Sequence, residues 1–224
     1  MSKDDPDRIT PGGFSRPRTT AKRQELIRAT LRVLEREGWS RLTARKVVAE
    51  AGLSLGHITY NFPSMDALLA ASYRQLAEDL RAASDAAEPG ASGSVPDRLA
   101  AFLNAAFTEE FLAPGHLRMR IDLWSAALAH PELAQTEAEL YDRYRQRLTL
   151  LLSALAEGHG TEARVPEITD TIMAALDGLW LDWARRRDSL AVRRSLDTLI
   201  DLARVSLAPE ETGGHGAGPD PSPR

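Results

Sequence analysis

The sequence contains no cysteine, and it has no apolar run approaching the roughly 18 residues of a membrane-spanning helix. The first absence excludes disulfide bonds and thiolate metal sites. The second absence argues against a membrane protein, and the N-terminal segment also lacks the apolar core of a secretory signal. We therefore expect a cytoplasmic protein that makes no membrane contact.

Aromatic residues make up only 6% of the chain, and runs of Val, Ile or Thr are scarce, whereas Ala, Leu and Arg are abundant. This composition favours helix over sheet. The 224 residues suffice for two small domains, and the Pro-, Gly- and Ser-rich stretch 84–96 is the clearest linker inside the fold. We predict an all-α protein of about nine helices.

Positive charge is slightly outnumbered by negative charge overall but is concentrated near the N-terminus. The net charge is −4, yet residues 16–46 contain ten Lys or Arg and three Glu, a local charge of +7. This asymmetry is typical of a basic DNA-facing end joined to an acidic body, because phosphate contact is a local requirement. The alternative interpretation is a solvated helix face covered with salt bridges.

Caps, breakers and apolar spacing divide the chain into helices. The expected N-caps of the first four are Thr19 or Thr20, Thr43, Ser54 and Ser64, with stops at Gly38 and Gly52. The later helices are expected at about 96–112, 115–129, 131–157, 166–187 and 190–207. The predicted organisation is a disordered basic arm at 1–18, a three-helix domain at 19–65, a second helical domain at 66–207 and a disordered tail at 208–224.

The second and third helices are joined by a tight Gly-containing turn, and the third is short and polar. This arrangement predicts a helix-turn-helix, a unit that lays its second helix in the major groove of DNA. Leu53 and Ile58 are expected to point inward, and His57 and Thr59 to lie nearest the base edges, whose donors and acceptors suit these side chains.

The runs "ELIRATLRVLEREGW" and "LTARKVVAEAGLSLGHITYNFPSMDALL" resemble the DNA-binding domain of the tetracycline-repressor (TetR) family over roughly residues 20–70. Together with the helix-turn-helix pattern, the resemblance predicts these DNA-binding residues: Thr43, Arg45, Ser54, Leu55, Gly56, His57, Thr59, Tyr60 and Asn61. Thr59 stands where the family usually has tyrosine, and Met65 where it usually has a phosphate-contacting lysine. Nearby cations expected to compensate are Arg16, Arg18, Lys22, Arg41 and Arg45.

The C-terminal half resembles the regulatory domain of the BetI-like branch, named for a choline-responsive repressor, through "MRIDLWSAALAHPELAQTEAELYDRYRQRLTLLLSAL" and "MAALDGLWLDWA". The resemblance implies a homodimeric repressor that binds a palindromic operator in double-stranded DNA and is released by a small organic effector. Effector identity does not carry over, because pocket residues vary freely in this branch. The alternative is a helical protein-interaction module without operator binding.

Aromatic residues of the second half are the candidate walls of an effector pocket, although core packing is the competing explanation. The predicted pocket residues are Phe107, Phe111, Asp122, Leu123, Trp124, Leu128, Tyr141, Met173 and Asp177. A choline-like effector would place its ammonium against Trp124 or Tyr141, balanced by Asp122 or Asp177.

Apolar stripes on the last two predicted helices indicate a dimer interface built as a four-helix bundle. The predicted interface residues are Ile172, Leu176, Gly178, Leu179, Trp183, Leu196, Leu199, Ile200 and Ala203. The alternative is that these stripes face the core of their own domain.

Catalytic and metal-binding patterns are absent from the sequence. His116, His130 and His159 lack the mutual spacing that would join them at a metal, and neither a nucleophile elbow nor a phosphate-binding loop in strand–helix context is present. We expect no metal, no cofactor and no enzymatic activity.

Overall fold

The structure is a computed structural model that describes residues 16–87 and 93–209, with the backbone only for 16–19. The described part contains ten α-helices and two short 3-10 turns, and no strand. The helices are α1 (Arg16–Glu37), α2 (Ala44–Ala51), α3 (Leu55–Asn61), α4 (Met65–Ala87), α5 (Val95–Ala105), α6 (Glu109–Leu112), α7 (Pro114–Ala127), α8 (Pro131–Ala156), α9 (Val165–Arg186) and α10 (Ser189–Leu207). The all-α prediction is confirmed.

The expected arm and tail lie almost wholly outside the described residues, as does the middle of the 84–96 linker. None of the described helices is long and apolar enough to cross a lipid bilayer.

The first three helices form a small domain around Leu26, Val47, Ile58 and Phe62, all buried. The Thr43 side chain accepts a hydrogen bond from the Lys46 amide at 3.3 Å and so caps α2, as predicted.

Gly52 ends α2 in the left-handed conformation, with φ 64° and ψ 32°, which costs glycine least. This turn sets the angle between α2 and α3. The expected N-cap positions of α3 and α4 are also confirmed: Ser54 precedes α3, and the Ser64 hydroxyl accepts from the Ala67 amide at 2.9 Å.

Several helix boundaries differ from the prediction, and both ends of the predicted 84–96 linker are helical, since α4 continues to Ala87 and α5 begins at Val95. The first helix begins at Arg16 rather than after an N-cap at Thr19 or Thr20, because Pro17 is tolerated in a first helical turn, where the amide needs no partner. The helix expected at 96–112 is two helices, since the chain turns after Ala105 and restarts behind Thr108. The Leu112 carbonyl then accepts from the Trp183 indole nitrogen at 2.8 Å.

The long helix α4 belongs to both halves of the molecule. Leu68 packs into the N-terminal core, Tyr73 into a middle cluster with α7 and α8, and Leu80 into the C-terminal core. The boundary at residue 65 therefore remains a prediction.

The C-terminal core is formed mainly by α5, α8, α9 and α10, around the buried Leu103, Leu152, Ile172 and Leu196.

Candidate functional site

The exposed side of α3 is the candidate DNA-reading surface. Leu55, Gly56, Thr59 and Tyr60 are exposed, whereas Ile58 is buried in the domain core. The Thr59 hydroxyl donates to the Gly56 carbonyl at 3.2 Å. This bond uses the proton of the hydroxyl and leaves its lone pairs able to accept from a base edge.

Two other predicted contact residues are held by the protein itself. The His57 ring lies between Lys22 Nζ, 3.1 Å from Nε2, and Ser54 Oγ, 2.9 Å from Nδ1. The Ser54 amide also donates to Nδ1 at 3.3 Å, so the His57 ring closes the capping box at the start of α3. The Asn61 amide donates to the His57 carbonyl at 2.7 Å, and its Oδ1 is buried without a partner. A DNA contact by either side chain remains a prediction, and His57 must first release Lys22.

The basic surface of the first domain divides into paired and unpaired cations. The paired ones are Arg32 with Glu25 and Glu50, Arg36 with Glu37 and Glu50, and Lys46 with Glu37. Hydrogen bonds, first of all from Lys46 to Glu37 and from Arg32 to Glu50, hold the pKa of each carboxyl group below its usual range. Arg41 and Arg45 are exposed, and no carboxylate of the described residues pairs with them. These two remain available for phosphate.

A cavity of about 460 Å³ lies in the C-terminal domain. Residues from α4 through α9 line it, including these six predicted members: Phe107, Phe111, Trp124, Tyr141, Met173 and Asp177. The Phe107 ring stacks on Trp180, with centroids 4.8 Å apart, so much of the wall is aromatic.

Three predicted pocket residues lie elsewhere, and their assignment to the pocket was wrong. Asp122 turns away from the cavity and accepts a hydrogen bond from the Trp39 amide at 2.8 Å. Leu123 is fully buried in the middle cluster. Leu128 lies where α7 has ended and is 92% exposed.

Apart from Asp177, the buried polar groups of the cavity were not predicted, above all Arg120. The guanidinium carbon of Arg120 lies 4.4 Å from the ring centroid of Trp180 and 5.3 Å from that of Trp124. The Arg120 Nε atom and the Tyr144 hydroxyl are buried without a hydrogen-bond partner. The Tyr73 hydroxyl donates to the Glu137 carboxylate.

Burial governs the ionisation of these groups. It raises the pKa of the Glu137 and Asp177 carboxyl groups, against the opposing effect of the Arg120 charge on both and of the Tyr73 hydrogen bond on Glu137. Burial likewise lowers the pKa of Arg120 and raises that of Tyr73 and Tyr144.

The sequence feature that indicates Arg120 as a cavity residue is its helical spacing on α7. His116, Arg120 and Trp124 recur every fourth residue on α7, and all three line the cavity. The cationic ligand that the resemblance suggests favours a carboxylate such as Asp122, which in the structure contacts Trp39 instead.

Most of the predicted dimer residues face their own core. Ile172, Leu176, Leu196 and Ala203 are at most 6% exposed, and Leu179 and Leu199 are also buried. Ile200 and Trp183 are half-buried against the same core. The assignment of Ile172, Leu176, Leu196 and Ala203 to the dimer interface was therefore wrong, because a helix can bury only one stripe and the intramolecular packing takes it. The assignment of the other four stays a prediction.

Gly178 is the exception among the predicted dimer residues. It is exposed, and a Cβ built on it would meet nothing within 4 Å. A shallow groove between α9 and α10 contains it together with Ala175, Ala191, Ser195 and Thr198, and the predicted dimer residues Leu179 and Leu199 also line this groove.

The helix α7 also contacts the first domain. Arg118 donates to the Glu35 carbonyl, and Asp122 accepts from the Trp39 amide. Gly115 lies so close to α1 that an added Cβ would approach Glu35 Cγ to 2.5 Å.

Among the described residues, no group of three or more His, Asp or Glu side chains is placed to hold a metal ion.

Comparison with known proteins gives the class. Residues 26–72 match the family described as "Bacterial regulatory proteins, tetR family", and residues 95–205 match "BetI-type transcriptional repressor, C-terminal". The chain belongs to the TetR family of transcriptional regulators, which are ligand-responsive DNA-binding proteins and not enzymes.

Three individual proteins illustrate the similarity. The HTH-type transcriptional regulator BetI of Burkholderia mallei is 28% identical over 84% of this chain and 94% of its own length. The crystal structure of a transcriptional regulator from Pseudomonas aeruginosa PAO1 is 30% identical, with a TM-score of 0.67, over 80% of this chain and 87% of that chain. A regulator from Saccharomonospora viridis, solved in complex with choline, has a TM-score of 0.65 over 82% of this chain and 95% of that chain, but at 17% identity it indicates the fold alone.

Proposed function

We propose that this regulator is a repressor that binds a palindromic operator as a homodimer, and that an effector in the cavity changes its affinity for that operator. The observation that carries the proposal is the double role of α7, which lines the cavity with one face and contacts the first domain with the other. Arg120 and Trp124 lie on the cavity side. On the other side, Arg118 contacts Glu35 near the end of α1, and Asp122 contacts Trp39 just beyond it.

This geometry supports a transmission route through α7. Residues 118 and 120 are two apart in a helix, about 200° around its axis, and so face opposite ways. A ligand that moves Arg120 or Trp124 must carry Asp122 with it, because one rigid helix holds all three. Such a shift changes operator affinity only in so far as the ligand prefers one position of α7 over the other.

For the dimer we propose the outward faces of α9 and α10 rather than their buried stripes. The exposed face of α10 contains Thr198, Leu202 and Val205 at helical spacing, and Val205 is 73% exposed. Gly178 on α9 leaves room for a close approach of a partner helix.

A choline-like effector has one argument for it and one against. The Saccharomonospora relative of the same fold was solved with choline. In this chain, however, the Arg120 guanidinium already lies over Trp124, the ring proposed for the cationic cage. A second cation there would be repelled by the first.

The proposed function places the protein in the cytoplasm with its operator DNA. The test is fluorescence anisotropy with duplexes from the DNA that flanks its own gene, at low and moderate salt. We expect saturable binding of one dimer per palindrome, weakened by salt because phosphate contacts release counterions. Failure to bind any such duplex at low salt would instead favour a protein-interaction module, the reading that Thr59 and Met65 keep open.

A further inference from the structure

The effector cavity contains a cation that the protein itself leaves without an acceptor. Arg120 forms no hydrogen bond and no ion pair with any described residue, although its guanidinium lies over two indole rings. A buried donor without an acceptor is destabilising, and a guanidinium offers five N–H groups in a fixed fork. The two rings hold that fork in one orientation.

A second unfilled donor lines the same cavity. The Tyr144 hydroxyl is buried and unpaired, while its ring packs against Phe102 with centroids 4.6 Å apart. Burial raises the pKa of this hydroxyl, so it keeps its proton and can donate. A guanidinium and a phenol in one cavity require the same complement, which is an oxygen acceptor.

The carboxylates of the cavity do not supply that acceptor, and two of them, Glu78 and Asp85, pair with Arg81 instead. The Glu137 carboxylate is engaged by the Tyr73 hydroxyl, and neither Glu137 nor Asp177 forms an ion pair with Arg120. Burial raises the pKa of both acids, which lowers the ionised fraction that balances Arg120 at any given pH.

Much of the remaining wall is apolar, although charged residues such as Arg81 and Arg143 also line the cavity. Phe107, Phe111, Met173 and Trp180 line the cavity, and all four are at most 8% exposed. A volume of about 460 Å³ accommodates a small organic molecule rather than an inorganic anion alone.

We propose that the cavity takes an organic carboxylate with an apolar aromatic or alkyl body, whose carboxylate accepts hydrogen bonds from the Arg120 guanidinium and the Tyr144 hydroxyl. This inference rests on the proposed function only in treating the cavity as the effector site. The fork geometry of guanidinium favours a bidentate carboxylate, which an amide or an ammonium cannot imitate.

The test is isothermal titration calorimetry on the full chain without DNA, using ligands matched in shape. One set is phenylacetate, phenylacetamide and benzyltrimethylammonium, and a second is octanoate and octanamide, with choline added. We expect the carboxylates to bind at least about tenfold more tightly than the matched amides and ammonium compounds, as charge-assisted hydrogen bonds allow. Equal affinity within a set, binding of the cations alone, or no binding by either carboxylate overturns the proposal.

Variants separate the two donors from general effects on the fold. Arg120→Gln should weaken carboxylate binding by about ten- to a hundredfold, and Tyr144→Phe, which removes one oxygen, by about three- to tenfold. Matched controls from the same cavity are Arg143→Gln, which removes an exposed cation, and Tyr141→Phe, which removes another phenol hydroxyl. Equal losses in Tyr141→Phe and Tyr144→Phe contradict the assignment even if Arg120→Gln does not fold.

Operator release is measured separately with the same ligands. A carboxylate that binds without releasing DNA leaves the cavity assignment standing and removes its regulatory role. Release by choline without any carboxylate binding would keep the regulatory role of the protein and overturn the carboxylate assignment.

Discussion

At the scale of single residues, the reading helix separates side chains that face outward from those that the protein already holds. Thr59 is exposed, whereas His57 is bonded at both ring nitrogens. We expect Thr59→Ala to cost about 1–3 kcal/mol at particular base pairs, because base edges are read individually. Binding to operator variants, each with one altered base pair, measures this, and equal losses on all variants would contradict it.

Arg45 is the matched comparison for Thr59. It is exposed, it forms no ion pair within the described part of the chain, and it lies on α2 rather than on the reading helix. Arg45→Gln should weaken every operator variant to the same extent and reduce the magnitude of the salt slope by about one, since one phosphate contact is lost. A loss confined to particular base pairs would instead indicate that Arg45 contacts bases.

The carboxyl group of Glu137 makes stability depend on pH. Its pKa is raised in the folded protein by burial, so the folded state binds more protons than the unfolded state, and stability falls as pH rises through the folded pKa. Glu137→Gln keeps an acceptor for the Tyr73 hydroxyl while removing the charge. We expect it to raise the Tm at alkaline pH and to change it little in acid, where wild-type Glu137 is protonated.

The exposed Glu139→Gln variant controls for loss of a carboxylate from α8. Glu139 pairs with Arg74 across the surface at 3.2 Å, and such pairs contribute little. Its Tm should equal that of the wild type at every pH. If the plot of Tm against pH for Glu137→Gln ran parallel to that of Glu139→Gln, the pH dependence could not be attributed to Glu137.

At the scale of elements, α7 is the helix through which cavity and DNA-binding domain communicate. The Trp39 amide and Asp122 carboxylate form one contact, and the tight approach of Gly115 to Glu35 forms another. Asp122→Ala should leave effector affinity within about twofold while weakening release from DNA, since coupling free energies of 1–3 kcal/mol rest on such contacts. Anisotropy titrations with and without effector measure both.

Gly115→Ala provides the complementary test of this joint. The added methyl would meet Glu35 Cγ at 2.5 Å and the Glu35 carbonyl oxygen at 3.1 Å, so the Glu35 side chain must shift or α7 and the end of α1 must move apart. We expect altered operator affinity even without effector. Wild-type affinity and release in both variants would show that the signal travels elsewhere.

At the scale of the whole molecule, we expect two copies of the chain to associate through the groove between α9 and α10. Thr198→Arg or Gly178→Arg should produce monomers by light scattering at micromolar concentration, because each places a charged side chain in the proposed contact. Leu128→Arg is the control, as Leu128 is 92% exposed on another surface. Leu199→Glu is unsuitable, since Leu199 is buried in the monomer and its replacement would unfold the domain.

Local sequence determined most of the helices and their ends. Thr43, Ser54, Gly52 and Ser64 act through hydrogen bonds and backbone conformations that involve only their neighbours, so capping rules predicted them. The family motifs between residues 20 and 70 fixed the helix-turn-helix for the same reason, because its residues contact one another over short separations.

The tertiary structure alone decided which side of each helix faces which neighbour. The pattern on α9 and α10 showed an apolar stripe but not that their own domain buries it. Likewise Arg120 and Asp122 are two residues apart in sequence, and only the packing of α7 places one beside Trp180 in the cavity and the other against the Trp39 amide. A helix fixes the angle between its side chains, whereas its rotation about its own axis depends on every element that packs against it.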